Sequence, residues 1–195
     1  FDDNYVDNSA KIGSLFFGGN LGSVTAGGTF NVEFEKPLVI FEKLVAGCND
    51  ANYKNDSYGI DYAGGITTAP AEGNPKIRMT LNRITLQPGK LENNDIVWNV
   101  VDDRLIGGNI FGGCYNSGII NGNVEINLTS AAYNDDNTFG ASASGVTRDA
   151  QLNDVFSTAL SIFGGGYGPN ARIEGNTTIS ISGTGRILKV FGGGL

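Results

Sequence analysis

Asn109-Ile110-Phe111-Gly112-Gly113 is one copy of a phrase that returns along the chain as Leu15-Phe16-Phe17-Gly18-Gly19, Ser161-Ile162-Phe163-Gly164-Gly165 and Lys189-Val190-Phe191-Gly192-Gly193. A fifth copy, Lys43-Leu44-Val45-Ala46-Gly47, is degenerate. Each copy reads as an apolar strand end, an aromatic residue and a sharp glycine corner. The expectation is that Phe17, Val45, Phe111, Phe163 and Phe191 stack in a core. The glycines would take positive φ or closely approach the next turn of chain.

A second phrase follows the first: Thr29-Phe30-Asn31-Val32-Glu33-Phe34, Lys76-Ile77-Arg78-Met79-Thr80-Leu81, Asn123-Val124-Glu125-Ile126-Asn127-Leu128 and Thr177-Thr178-Ile179-Ser180-Ile181-Ser182. Apolar and polar residues alternate with period two, the pattern of a strand buried on one face. Phe30, Val32 and Phe34, then Ile77, Met79 and Leu81, then Val124, Ile126 and Leu128, then Ile179 and Ile181 would face inward. A turn-rich joint with a further glycine, Gly27-Gly28, Gly122 or Gly175, separates the phrases. The same faces recur in the same order, and stacking them in parallel buries like with like. This predicts an all-β fold: a parallel β-helix, that is, a single-stranded, right-handed β-solenoid with long loop insertions. At the spacing of paired strands, its five corners would span roughly 19 Å.

The intervals Phe17 to Val45 and Phe163 to Phe191 are both 28 residues (45 − 17 and 191 − 163), the length of a bare coil. The excess elsewhere falls in insertions near 49–75, 82–104 and 131–158, rich in Asn, Asp, Gly and Pro. Such insertions leave a solenoid as loops on one face. Leu152, Val155, Phe156, Ala159 and Leu160 have helical spacing after Asp149, which suggests a short helix in the last of them. Residues 1–195 form a single solenoid domain in this reading. An open edge after the corner at Gly192-Gly193 predicts a fragment of a longer repeat protein.

Composition bounds the function. The chain has 195 residues, 40% of them hydrophobic and 17% charged, a balance that folds. Thirty glycines with no Gly-X-Y period mean many turns. A net charge of −7 opposes binding to a phosphate backbone, so no nucleic-acid partner is expected. No apolar run is long enough for a transmembrane helix. The acidic, Asn- and Gly-rich composition without histidine suits an exported bacterial protein, secreted or on the cell surface.

Arg104-Leu105-Ile106-Gly107-Gly108-Asn109-Ile110-Phe111-Gly112-Gly113-Cys114-Tyr115-Asn116-Ser117-Gly118 and Phe163-Gly164-Gly165-Gly166-Tyr167-Gly168 resemble the repeats of large Bacteroides-type exported surface proteins. In that family, Val/Ile-Phe/Tyr-Gly-Gly-Gly corners recur many times. The resemblance covers most of the chain outside the insertions. It implies an adhesin-like surface protein and brings no catalytic motif with it.

Cys48 and Cys114 both follow a glycine corner, a place held elsewhere by Asn20, Gly166 and Gly194. In-register coils would bring them within disulfide range, leaving either a stacked pair of buried thiols or a disulfide. Two cysteines without histidine do not make a zinc site. Gly166-Tyr167-Gly168-Pro169-Asn170-Ala171 fits the Gly-x-Gly-x-x-Gly/Ala fingerprint, but the alternating segment after it is a strand where that fingerprint needs a helix, so no cofactor is expected. Without histidine the usual Ser-His and Cys-His nucleophiles are absent. Asp102-Asp103-Arg104 and Asn134-Asp135-Asp136-Asn137 could supply acids or calcium oxygens, though adjacent acids in polar loops usually serve as solvated turns. No catalytic, cofactor or metal residue is therefore assigned.

Tyr53, Tyr58, Tyr62, Trp98 and Tyr115 lie in or beside the insertions. They either stack on sugar rings or pack the loops against the wall. The sequence thus points to a non-enzymatic structural or adhesion module displaying loops to a host glycan or surface protein. A carbohydrate-binding or polysaccharide-cleaving β-helix is the alternative.

Overall fold

A computed structural model describes residues 10–21, 38–50, 60–61, 77–93, 95–102, 104–120, 122–133, 159–182 and 189–195. The described residues are all-β, with strands and no helix, and most strand pairs are parallel. The first alternating strand (Thr29 to Phe34), Tyr53, Tyr58, Tyr62, the Asn134–Asn137 cluster and most of the segment expected to be helical lie outside these residues.

The repeated phrase forms β1 (Ala10–Phe16), β2 (Leu38–Val45), β9 (Asn109–Phe111), β12 (Ser161–Phe163) and β15 (Lys189–Phe191), which pair in parallel in that order. The alternating phrase forms β4 (Ile77–Leu86), β11 (Val124–Tyr133) and β14 (Thr177–Ile181), again parallel and in chain order, and β3 (Ile60–Asp61), inside the segment expected to be a loop insertion, pairs with β4 in parallel. Between corner and alternating strand lie β10 (Ser117–Ile120) and β13 (Asn170–Ile173), paired in parallel. The chain therefore passes β9, β10, β11 and then β12, β13, β14, each strand lying beside its predecessor of the previous round.

Ile77, Met79 and Leu81 on β4 and Val124, Ile126 and Leu128 on β11 are buried in one continuous core, as their alternation predicts. Ile179 on β14 is half-buried against it, but Ile181 is exposed, because no further described strand lies beyond β14.

Phe111, Phe163 and Phe191 stack as expected, but in a cluster apart from the main core. Leu44, Ile110 and Ile162, each one residue before the aromatic position, belong to the main core, whereas Val45, Phe111 and Phe163 form a separate cluster on the opposite face of the wall. Adjacent strand residues point to opposite faces, so only one of the two can face the interior. In the first copy Phe16, not Phe17, pairs with Val45, an interval of 29 residues (45 − 16). Phe17 is buried in the main core beside Ala46. The corner glycines act by close approach: a Cβ on Gly113 or Gly165 would collide with the backbone of the next corner.

The insertions begin later than their composition suggests. β4 continues to Leu86 and β11 to Tyr133, the two paired through register shifts around Ser130. Leu38-Val39-Ile40 of β2 pairs with Ile84-Thr85-Leu86 of β4, and Lys43-Leu44-Val45 of β2 pairs with β9. One strand of the wall is thus made from two pieces, with residues 87–108 leaving between them. This excursion holds two antiparallel hairpins, β5 (Lys90–Glu92) with β6 (Asp95–Val97) and β7 (Val100–Val101) with β8 (Arg104–Leu105). Exit and return close on one atom, as Gly89 N and Gly108 N both donate to the Phe41 carbonyl, at 2.9 and 3.1 Å. At the return Gly107 has φ 108°, and a Cβ there would stand 2.5 Å from that oxygen. The same two-piece arrangement recurs one strand further on, where β11 ends at Tyr133 beside Leu86 and β12 pairs with β9.

Candidate functional site

Where the excursion rejoins the wall, a cleft of about 270 Å³ opens on the outer face. Glu42 and Lys43 come from β2, Asn109 and Phe111 from β9, Tyr115 and Tyr167 from the segments after the glycine corners, and Asn99 and Ile106 from the excursion.

In-register stacking sets one wall of this cleft. Phe111 and Phe163 stack with centroids 5.0 Å apart and Phe163 and Phe191 at 4.9 Å, both pairs 7° from parallel. Tyr115 and Tyr167 make a second stack at 4.6 Å and meet Phe111 edge-on at 5.6 and 5.8 Å. Each such contact contributes about 1 kcal/mol beyond area burial. The ring faces of Tyr115 are occupied by this stacking and by Lys43, whose Nζ lies 4.6 Å from the ring centroid.

Glu42 accepts a hydrogen bond from Ser14 Oγ, and its Oε2 lies 3.8 Å from Lys43 Nζ. Asn109 is buried, and its Oδ1 accepts from Ser161 N at 3.1 Å, so it holds β12 to β9. Burial first, then the neighbouring Tyr167 and Glu42, raise the Tyr115 phenol above its ordinary value. It therefore stays a neutral donor at neutral pH.

Trp98 has a structural role: it is partly buried against the main core together with Val100, while Leu105 of the same excursion is fully buried within it. Tyr115 is the one candidate aromatic among the described residues that lines the cleft. Asp102 and Arg104 sit at the exposed tip of the β7–β8 hairpin, with Asp102 at φ 49°, and neither lines the cleft. Asp103 lies outside the described residues. Among the described residues no cluster of three or more acids, cysteines or histidines is placed to hold a metal.

Cys48 and Cys114 form no disulfide and are fully buried in neighbouring layers. The hydrogen bond between their side chains, then burial, pushes the Cys114 thiol above the ordinary thiol range. Their counterpart in the first copy is Gly19, not Asn20: Asn49 N bonds the Gly19 carbonyl and Tyr115 N the Cys48 carbonyl.

No family model matches the chain, and no curated protein or solved structure is significantly similar to it. The site therefore rests on its own geometry.

Two features of that geometry were missed in the sequence. Tyr167 was absorbed into a glycine-rich motif, although it stands two residues after Gly165 as Tyr115 stands two after Gly113. A polar ladder also runs beside the corners: Asn49 Nδ2 donates to Asn20 Oδ1 at 2.7 Å and Asn116 Nδ2 to Asn49 Oδ1 at 3.0 Å, with Ser117 Oγ on Asp50 Oδ1 at 3.1 Å. Its signal was the Asn that follows each of the first three corners, Asn20, Asn49 and Asn116.

Proposed function

We propose that the chain is a right-handed, single-stranded β-solenoid that serves as a non-enzymatic display and adhesion module of an exported, cell-surface or secreted protein. One observation carries the reading: β2 pairs in register with β4 on one side of the excursion and with β9 on the other. The wall thus accepts insertions of differing sequence at one fixed point, which is how a scaffold presents variable loops. The recurring order of strands supports the solenoid, and the resemblance to repeat-bearing surface proteins supports the location.

The cleft favours carbohydrate binding over cleavage. Glycoside hydrolysis ordinarily needs two carboxylates about 5–10 Å apart. Glu42 is the one carboxylate among the residues lining the cleft, and Ser14 and Lys43 engage it. Tyr167, Lys43 and Asn99 instead offer hydrogen-bonding groups beside apolar ring edges, suited to one or two sugar rings.

The test is a binding screen of the chain against glycans and host surface proteins, run beside a reducing-end assay on the same polysaccharides. Binding that Tyr167→Ala abolishes with the β-spectrum unchanged, and no release of reducing ends, is the expected result. Release that Glu42→Gln abolishes would overturn the non-enzymatic reading, and silence across both panels would overturn adhesion.

A further inference from the structure

One column of the stack holds both cysteines, with glycine on either side of them. Asn49 N bonds the Gly19 carbonyl, Tyr115 N the Cys48 carbonyl and Tyr167 N the Cys114 carbonyl, which sets Gly19, Cys48, Cys114 and Gly166 in successive layers. The two thiols of the chain thus meet in neighbouring layers, and both residues are fully buried.

The backbone holds the pair at a fixed separation. Gly47 N donates to the Gly113 carbonyl at 3.1 Å just before it, and Tyr115 N to the Cys48 carbonyl at 2.8 Å just after it. Paired strands lie about 4.8 Å apart, and a disulfide spans Cα separations of about 4.4–6.8 Å. The sulfurs are aimed as well. A Cβ on Gly47 would stand 2.9 Å from Cys114 Sγ, and one on Gly18 would collide with Cys48 Sγ, so each sulfur leans towards the layer before its own. Cys114 Sγ therefore already faces Cys48, with whose side chain it shares a hydrogen bond. A turn of the Cys48 side chain about χ1, away from Gly18, brings the second sulfur forward to meet it.

We propose that Cys48 and Cys114 are an oxidation site: in a chain that folds under oxidising conditions they close to a disulfide that clasps the layer of β2 to the layer of β9. The two thiols give up two protons and two electrons as one S–S bond forms, and a small-molecule disulfide takes up both and leaves as two thiols. Neither cysteine is open to solvent once the corners have stacked, so the exchange belongs to folding and not to the finished fold. Cβ atoms at strand spacing stand wider than the roughly 3.8 Å of a relaxed disulfide, so the bridge is mildly strained and remains reducible.

The clasp closes a loop around residues 49–113, which carry the 87–108 excursion and its two hairpins. Long loops gain most from a cross-link, because it takes the most freedom from the unfolded chain. A protease cut within the excursion would also leave both of its flanks, β4 and β9, on one covalent molecule. The inference rests on the cysteine column and not on any ligand at the cleft.

Refolding tests it. The full chain is unfolded with reductant, refolded in buffers that run from reduced glutathione to its disulfide, quenched with acid, alkylated in denaturant and measured by mass spectrometry. At the oxidising end the expected product is a monomer lighter by two hydrogens with neither cysteine alkylated, melting higher than the reduced chain by roughly 5 °C or more. Reductant in denaturant is expected to restore both alkylations, and the Cys48→Ala/Cys114→Ala chain to melt at one temperature in every buffer. Two alkylated cysteines after refolding at every ratio overturn the proposal, as do glutathione held on either cysteine, two chains joined through them, or a bridged chain that melts no higher than the reduced one. Each of those results would leave the display reading standing, because glycan and surface-protein binding are measured separately from the state of the thiols.

Discussion

β2 and the strand beside it do the same work by different routes. Leu38–Val45 crosses the wall in one piece, while its neighbour is assembled from Ile84–Leu86 and Asn109–Phe111 with residues 87–108 looping out between them. Phe41 and Glu42 fill in β2 the gap from which the neighbour sends out two hairpins. Register in this molecule is held by buried columns and corner glycines, not by local chain continuity. Loops are therefore free to vary where the cleft forms.

The comparison breaks first at the core. Leu44 and Ile110 are register partners, both fully buried, so Leu44→Ala and Ile110→Ala should each cost about 3 kcal/mol in denaturant unfolding. A much smaller loss at Ile110 would mean that the split strand is merely draped on β2. Next comes the seam. Gly107→Ala forces a side chain into φ 108° against the Phe41 carbonyl, and about 2 kcal/mol should be lost with the β2 amides still protected from exchange. A third substitution should help. Thr85 is the register partner of Val39, but its buried hydroxyl has no hydrogen-bond partner among the described residues, so Thr85→Val should stabilise the fold by about 1 kcal/mol in thermal unfolding.

A smaller effect belongs to Tyr115. Its folded value lies above that of the unfolded chain, so its contribution is intact below the ordinary tyrosine value of about 10 and is lost as pH rises through the higher folded value. An ultraviolet phenolate titration should show one late tyrosine, absent in Tyr115→Phe. The least costly test concerns the thiols: Cys48 and Cys114 should be inert to a thiol reagent in the folded chain and both should react once it is unfolded. No reaction in denaturant without reductant would mean that they had been oxidised to a disulfide.

Much of the fold was legible because period two is a local signal. Ile77, Met79, Leu81, Val124, Ile126 and Leu128 announced their burial unaided. Ser161-Ile162-Phe163 did not reveal its faces, since all three residues are buried, and nothing in it says that Ile162 and Phe163 enter two different clusters. Phe16-Phe17 offered two registers, and only pairing with Val45 decides between them. The continuations of β4 and β11 were hidden because register shifts around Ser130 interrupt the alternation. The site was less legible still. Tyr115 was visible beside an insertion, but Glu42 and Lys43 join it only through the stacking of β2 on β9.

The split strand is tested most directly by nuclear Overhauser contacts in the intact chain. The account predicts contacts from Ile40 to Leu86 and from Leu44 to Ile110, followed by Ile110 to Ile162, all in parallel register. Contacts from Ile40 to Leu86 without those from Leu44 to Ile110 would contradict it, because the wall would then end where the excursion begins.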